Sequence, residues 1–213
     1  MTRLCPHQVI MLGPPGAGKG TQAGRFADCL GVVHLSPGAI LRWEIPVDSV
    51  IGQRIRALMA AGELVPEELV DGVVRDRLEA LRPEQGFVVD GYPRTAAEAH
   101  SLRDLLATLG RLEPRPVVVW LEVPREELVR RLRRRRELHG RPDDAENAFA
   151  HRLAVHDAHA GAVRRALGGW SDVVEVDGSP DIDTVTEKSL DGLYLIHSER
   201  ARRAMRSAQA SEV

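Results

Sequence analysis

Cysteine is nearly absent from this chain of 213 residues, which contains only Cys5 and Cys29. The two cysteines do not form a pair at the spacing of a metal site, which argues against a structural zinc centre. So few thiols are also typical of a protein that works in a reducing compartment without disulfides. We therefore expect no zinc and a cytoplasmic location.

The chain also lacks an excess of charge and a long apolar run. Its formal net charge is −2 and its pI is near 6.5, values that give no general affinity for nucleic acid or for an anionic membrane. No segment approaches transmembrane length, and the apolar run near the N-terminus is shorter than the core of a signal peptide. We expect a soluble monomer with neither a nucleic-acid nor a membrane partner.

Lysine is scarce as well, and one of the two lysines stands in the most informative segment. Lys19 lies in GPPGAGKGT, residues 13–21, between an apolar run at 9–12 and a helix-forming stretch. Glycines let successive backbone N–H groups turn toward an anion, and the N-terminus of the following helix adds positive charge. This order indicates a phosphate-binding loop, with Lys19 on the outer phosphates and the Thr21 hydroxyl on Mg²⁺.

Four further segments read as short strands rich in β-branched residues, at 32–35, 87–90, 117–123 and 173–176. Helical patterns lie between them. This alternation predicts an α/β fold, a five-stranded parallel sheet with helices on both faces that binds ligands at the carboxyl ends of its strands. The length suits a single domain, 1–213.

Two segments look inserted into this alternation. Residues 36–66 carry two helical patterns without a strand, and residues 136–144 include a polar loop, which leaves 1–35, 67–135 and 145–213 as the core. Both insertions would cover the ligand edge of the sheet. Such covers suit phosphoryl transfer, because water must be excluded from the reacting group.

Five segments in one order resemble the adenylate kinases and the related nucleoside monophosphate kinases. They are GPPGAGKGTQA from residue 13, HLSPGAILR from 34, AGELVPEELV from 61, GFVVDGYPRT from 86 and GRPDD from 140. The resemblance covers nearly the whole chain. It implies the P-loop kinase fold, with 36–66 as the acceptor-binding insertion and 136–144 as a short lid. The ligands that it implies are ATP and a nucleoside monophosphate, with Mg²⁺ as cofactor.

For ATP, the resemblance implies a cradle around the phosphates and a few residues beyond it. Arg131 and Arg135 lie four apart, hence on one helical face, and match positions beside the adenine and the phosphates. Gly178 lies in VDGSPDID, which resembles the last strand and turn of the family. Asp90 would hold Mg²⁺ through water, together with Thr21. The cradle would consist of Gly13, Gly16, Ala17, Gly18, Lys19, Gly20 and Thr21.

For the acceptor, the resemblance implies Arg42 and Arg94 on the phosphate, because guanidinium groups bind phosphate bidentately. Arg141 and Arg152 match the lid arginines that close on the transferring phosphoryl group. A cis peptide bond is expected before Pro93. The remaining acceptor positions are Ser36, Leu64, Val65, Gly91 and Glu98. Catalysis would rest on charge stabilisation by Lys19, Arg94, Arg131, Arg135, Arg141 and Arg152.

The acceptor half departs from the family pattern. Pro37 and Ala39 stand where a threonine and an aspartate are usual, and Glu98 replaces the glutamine that reads the acceptor adenine. An ionised carboxylate only accepts hydrogen bonds, whereas guanine presents two adjacent donors. We therefore expect Glu98 to weaken activity toward AMP and to favour GMP.

Histidines and tryptophans are interpreted as structural. His151, His156 and His159 share the helix after the lid and are expected at the surface rather than on a metal. The side chains of Trp43, Trp120 and Trp170 are expected to pack rather than to stack on a ligand. The arginine run at 130–136 reads as a helix face, not as a nucleic-acid site.

The sequence is thus interpreted as an Mg²⁺-dependent kinase that transfers the γ-phosphoryl group of ATP reversibly to AMP. One alternative is a kinase for GMP or another monophosphate. A second is a nucleotide-binding switch without efficient transfer, although the retained arginines argue against it. A third, a kinase for a non-nucleotide metabolite, is weakened by the AGELVP and GYPR segments.

Overall fold

A computed structural model describes residues 7–46, 48–139 and 146–210. Residues 140–144 of the expected lid, which include Arg141, lie outside the described residues. The strands are β1 (Gln8–Leu12), β2 (Val33–Leu35), β3 (Phe87–Asp90), β4 (Val117–Glu122) and β5 (Asp172–Asp177). The helices are α1 (Lys19–Leu30), α2 (Pro37–Trp43), α3 (Val50–Ala61), α4 (Glu67–Glu79), α5 (Ala96–Thr108), α6 (Arg125–His139), α7 (Glu146–Gly168) and α8 (Ile182–Ala210).

The five strands form one parallel sheet in the order β2-β3-β1-β4-β5. Ile10 of β1 pairs with Val89 of β3 on one side and with Val118 of β4 on the other. The expected α/β fold class is confirmed. Because β1 is the central strand, the glycine-rich loop that follows it emerges at the middle of the carboxyl edge.

Helices cover both faces of the sheet, so the strands read as unbroken apolar runs. Val9 and Met11 point into one core, which α1, α6 and α8 complete, whereas Ile10 and Leu12 point into the other, against α5 and α7. All four side chains are buried. This packing fixes β1 and therefore the start of the loop after it.

The segment between β2 and α4 contains α2 and α3 and no strand among its described residues, as the sequence predicted. It has a small core of its own, formed by Leu41, Ile55 and Val65. Its α3 ends at Gly62, where φ is 81° and an added Cβ would lie 2.4 Å from the carbonyl oxygen of Ala148. The insertion thus packs closely on α7. The division into core, insertion and lid stays a prediction.

The last helix, α8, runs beyond the sheet, and its residues 201–207 are exposed. Its middle packs on α1 and β5, and His197 lies against His7, just before β1. Among the described helices, none combines the length and the apolar character needed to cross a membrane.

Candidate active site

A cavity of about 980 Å³ opens at the carboxyl edge of the sheet. Its lining comes from the glycine-rich loop, α2, the turn after β3, α6, α7 and the turn after β5. Most of the site residues expected from the sequence meet there. They are Gly13, Gly16, Ala17, Gly18, Lys19, Gly20, Thr21, Ser36, Arg42, Leu64, Asp90, Gly91, Arg94, Arg131, Arg135, Arg152 and Gly178.

The loop after β1 requires glycine for its backbone. Gly13, Gly16 and Gly18 have φ values of 141°, 86° and 94°, a region that residues with side chains rarely adopt. A Cβ on Gly13 would also lie 2.5 Å from the carbonyl oxygen of Leu121. The loop leads directly into the N-terminus of α1 at Lys19. This arrangement suits an anion, because unpaired N–H groups and the helix dipole act together there.

Lys19 extends back over this loop. Its Nζ donates to the carbonyl oxygens of Gly13 and Pro14, at 2.8 Å each. Burial lowers the pKa of Lys19 to about 7; the carboxylate of Asp90 opposes the shift, and the cation of Arg94 adds to it. An anion among these cations would raise that pKa again.

Asp90 ends β3 beside the start of α1. Its Oδ2 accepts a hydrogen bond from Ser36 Oγ at 3.2 Å and lies 3.8 Å from His34 Nε2. Burial raises the pKa of this carboxyl, but hydrogen bonds from His34 and Ser36 and the charge of Lys19 lower it below its usual value. A Cβ on Gly20 would lie 3.2 Å from Oδ2, so the carboxylate sits one residue from Thr21.

Two arginines converge on the start of α2. A Cβ added to Gly38 would lie 3.5 Å from a guanidinium nitrogen of Arg94 and 3.9 Å from one of Arg42. Arg94 Nε donates to Gly91 O at 2.8 Å, and Arg42 donates to Gly38 O at 2.7 Å. Both side chains line the cavity, so backbone carbonyls orient a pair of cations suited to one phosphate.

Five more arginines line the cavity from α6 and α7: Arg130, Arg131, Arg134, Arg135 and Arg152. Arg131 donates from Nε to Glu127 at 2.6 Å and from a terminal nitrogen to Ser179 O at 2.9 Å. It thereby ties α6 to the turn that contains Gly178. Arg135 follows one helical turn later, and Arg152 faces the cavity from α7. The arrangement concentrates positive charge around a bound polyphosphate.

Comparison with known proteins identifies the family to which this chain belongs. The model of the family described as adenylate kinase matches residues 11–164. This chain belongs to the adenylate kinase family. It is 39% identical to the adenylate kinase of Micrococcus luteus over 198 residues, 93% of each chain. It is 40% identical to that of Kocuria rhizophila over 193 residues, 91% of this chain and 99% of the relative.

The same relationship holds beyond those two organisms. The adenylate kinase of Stenotrophomonas maltophilia is 38% identical over 183 residues, 86% of this chain and 97% of the relative. The expected P-loop kinase fold and phosphotransferase class are thereby confirmed. The cis peptide bond predicted for this family at Tyr92-Pro93 is present.

Two acceptor positions expected from the family pattern are placed elsewhere by the structure. The Val65 side chain is 6% exposed and packs with Leu41 and Ile55. Glu98 is 2% exposed, and its carboxylate accepts a hydrogen bond from the backbone N–H of Arg94 at 2.5 Å. Neither is among the described residues that line the cavity. The Glu98 carboxylate is thus bound to the backbone, which gives no support to the expectation that it reads the base; that role stays a prediction.

Some lining residues were missed from the sequence. His156 lines the cavity and lies 6.2 Å from Trp120, ring centroid to ring centroid, so the expectation of a surface residue was wrong. Burial, followed by the charge of Lys19, lowers the pKa of His156 to about 4. Its spacing of four from Arg152 was the available signal, since residues i and i+4 share a helix face.

The tryptophans divide between packing and exposure. Trp170 is buried, as predicted. Trp120 is also buried and packs, but its ring borders the cavity and carries the Arg164 guanidinium 4.3 Å from its centroid. Trp43 is 74% exposed at the rim, so the prediction that it packs was wrong.

Proposed function

We propose that this protein transfers the γ-phosphoryl group of ATP to AMP, reversibly and with Mg²⁺. The observation that carries the proposal is the convergence of a phosphate loop, Lys19 and seven arginines on one cavity. Such a site matches the charge of two phosphorylated nucleotides meeting end to end. The similar proteins named adenylate kinase support AMP as the acceptor.

The ATP phosphates would lie in the loop, where backbone N–H groups and Lys19 bind the outer oxygens. Mg²⁺ would be held by the Thr21 hydroxyl and, through water, by the Asp90 carboxylate. Oxygen donors of this kind suit the ion, which usually keeps several waters and binds substrate phosphates. Within the described residues, no three His, Cys, Asp or Glu side chains form a metal cluster. The ion neutralises charge as the phosphoryl group moves.

The acceptor phosphate would bind between Arg42 and Arg94, in line with the γ-phosphoryl group. Arg131, Arg135 and Arg152 would stabilise charge on the equatorial oxygens rather than move protons. Arg141 is proposed for the same role. Direct transfer would need no covalent intermediate, because the two nucleotides would lie in one cavity. Closure of the insertion and lid would exclude water.

The alternatives considered from the sequence gain no support. The preference for GMP depended on Glu98 facing the base, whereas its carboxylate binds the Arg94 backbone. A binding switch without transfer has no use for both an acceptor pair and a lid set of arginines. The expectations of a monomer and of a cytoplasmic location stay predictions.

A panel of nucleoside monophosphates, each assayed for ADP formation with Mg-ATP, tests the proposal. AMP should be the best acceptor, and EDTA should stop the reaction. Arg94→Ala should lower activity severely. Arg103→Ala, on the α5 helix that follows and outside the described cavity lining, should not. Equal activity with water as acceptor would refute the proposal, and a clear preference for GMP would refute its choice of acceptor.

A further inference from the structure

The turn before α5 is held by a reciprocal pair of hydrogen bonds. Thr95 is the N-cap of α5, and its Oγ1 accepts a hydrogen bond from Glu98 N at 3.1 Å. In return, Glu98 Oε2 accepts from the backbone N–H of Arg94 at 2.5 Å. A usual capping box returns to the N-cap residue itself. Here the carboxylate reaches one residue further back, to Arg94.

Arg94 is therefore held at two points. Its backbone N–H is bound by Glu98, and its side-chain Nε is bound by Gly91 O. One terminal guanidinium nitrogen lies toward Gly38, and the side chain lines the cavity. Fixing the backbone at one end and the fork at the other restricts the rotations that would turn the cation away.

Two other carboxylates fasten the same turn from α4. Tyr92 Oη donates to Asp71 Oδ1 at 2.6 Å, and Thr95 Oγ1 donates to Glu67 Oε1 at 2.6 Å. Glu98 differs from both, because it alone of the three contacts Arg94 directly in these hydrogen bonds. A buried carboxylate is costly unless its charge is used in strong hydrogen bonds. The hydrogen bond from the Arg94 N–H explains why a carboxylate is buried at position 98.

We propose that Glu98 is a positioning residue: by binding the Arg94 backbone, it orients the Arg94 guanidinium for the phosphate of the acceptor. The inference rests on the proposed function, since it concerns the acceptor phosphate of that reaction. It makes Glu98 indifferent to the base. A base-reading role and a positioning role predict opposite results for the same two variants.

Glu98→Ala removes the acceptor of the Arg94 N–H. We expect the KM for AMP to rise about tenfold or more, with a smaller fall in kcat and the KM for ATP unchanged. Activity with GMP should change by the same factor, so the ratio of AMP to GMP stays constant. Glu98→Gln keeps an oxygen that can accept from the N–H, and should behave nearly as the wild type.

A double-mutant cycle distinguishes an effect of Glu98 on the position of Arg94 from a general loss of stability. In an Arg94→Ala background, Glu98→Ala should no longer alter the KM for AMP, because its effect passes through Arg94. Leu105→Val provides a matched control, since it weakens the packing of α5 without removing the hydrogen bonds that hold Arg94. If Leu105→Val raised the KM for AMP as much at equal loss of stability, the positioning role would be refuted.

The Arg94 backbone amide gives a readout that does not depend on activity. Its NMR resonance should be shifted downfield and protected from exchange in the wild type and in Glu98→Gln, and should lose both properties in Glu98→Ala. An unchanged Arg94 amide in Glu98→Ala would overturn the inference even if the protein phosphorylates AMP. A protein with a responsive amide but no AMP kinase activity would refute the proposed function instead. A changed ratio of AMP to GMP in Glu98→Gln would restore the base-reading role.

Discussion

Lys19 Nζ lies 2.8 Å from the carbonyl oxygen of Gly13, the first residue of the loop that Lys19 itself ends. The side chain therefore bridges the two ends of the loop, and it lines the cavity that the loop borders. Replacement of Lys19 by Met should lower the rate of transfer by about a hundredfold or more, which corresponds to about 3 kcal/mol of transition-state stabilisation. Steady-state kinetics with Mg-ATP and AMP measures this loss.

Lys188→Met is the control for that variant, because Lys188 is the other lysine of the chain and is not among the described residues lining the cavity. It should keep the rate of the wild type. Circular dichroism should show both variants folded. If Lys19→Met kept activity within a few-fold of the wild type, the assignment of the phosphate loop would be wrong.

The lowered pKa of Lys19 predicts a proton coupled to ATP binding. With a pKa of about 7 in the free protein, Lys19 is largely neutral at pH 8, whereas nearby phosphate charge favours its protonated form. Binding of ATP at pH 8 should therefore take up a proton. Calorimetry in two buffers of different ionisation enthalpy measures the uptake, which should vanish in Lys19→Met. Equal proton uptake by the variant would assign the effect to another group.

Some arginines of the cavity should act mainly in acceptor binding and others mainly in the chemical step. Arg152→Ala should lower kcat more than it weakens ATP binding, because this arginine is proposed to engage the moving phosphoryl group. Arg94→Ala should also raise the KM for AMP. Kinetics with each nucleotide varied in turn tests the division. Changes confined to ATP affinity in both variants would contradict it.

The His7–His197 contact predicts a loss of stability in mild acid. His7 Nδ1 lies 3.3 Å from His197 Nε2, and burial lowers the pKa of both rings in the folded protein. The unfolded chain, with a pKa near 6.5, then binds protons first as the pH falls. The free energy of unfolding should therefore be largest above pH 6.5 and should decrease below it.

Denaturant unfolding at pH 7.5 and 5.5 measures that decrease. His197→Gln should flatten the pH dependence, although His156 and Lys19, whose pKa values are also lowered, contribute slope in the same direction. If the free energy of unfolding of His197→Gln depended on pH as strongly as that of the wild type, the His7–His197 pair would not contribute to this dependence.

Much of the fold was readable because strands buried on both faces appear as apolar runs. The predicted strand at 87–90 coincides with Phe87–Asp90, and the others agree to within two residues. The cradle was also readable, since its residues are consecutive. By contrast, the contact of Arg131 with Ser179 joins segments 48 residues apart and leaves no local signal in the sequence.

Glu98 shows why a matching position does not fix a role. The pattern Thr95-x-x-Glu98 is the sequence pattern of a capping box. In the structure, the Glu98 carboxylate accepts a hydrogen bond from the backbone at the start of α5 instead of facing a ligand. The expectation of base reading compared the side chain with a base and left out the competing backbone donor. The position of His156 in the cavity was missed because it is not indicated by the histidine itself. It follows from the spacing of four residues between His156 and Arg152, which places both on one face of α7.

The central claim is transfer between two nucleotides in one cavity, and ³¹P NMR of the wild type with Mg-ATP and AMP tests it most directly. ATP and AMP signals should decline together while ADP grows, with no inorganic phosphate. The same equilibrium mixture should form when ADP is supplied alone. Loss of ATP to ADP and inorganic phosphate with AMP unchanged would contradict the account.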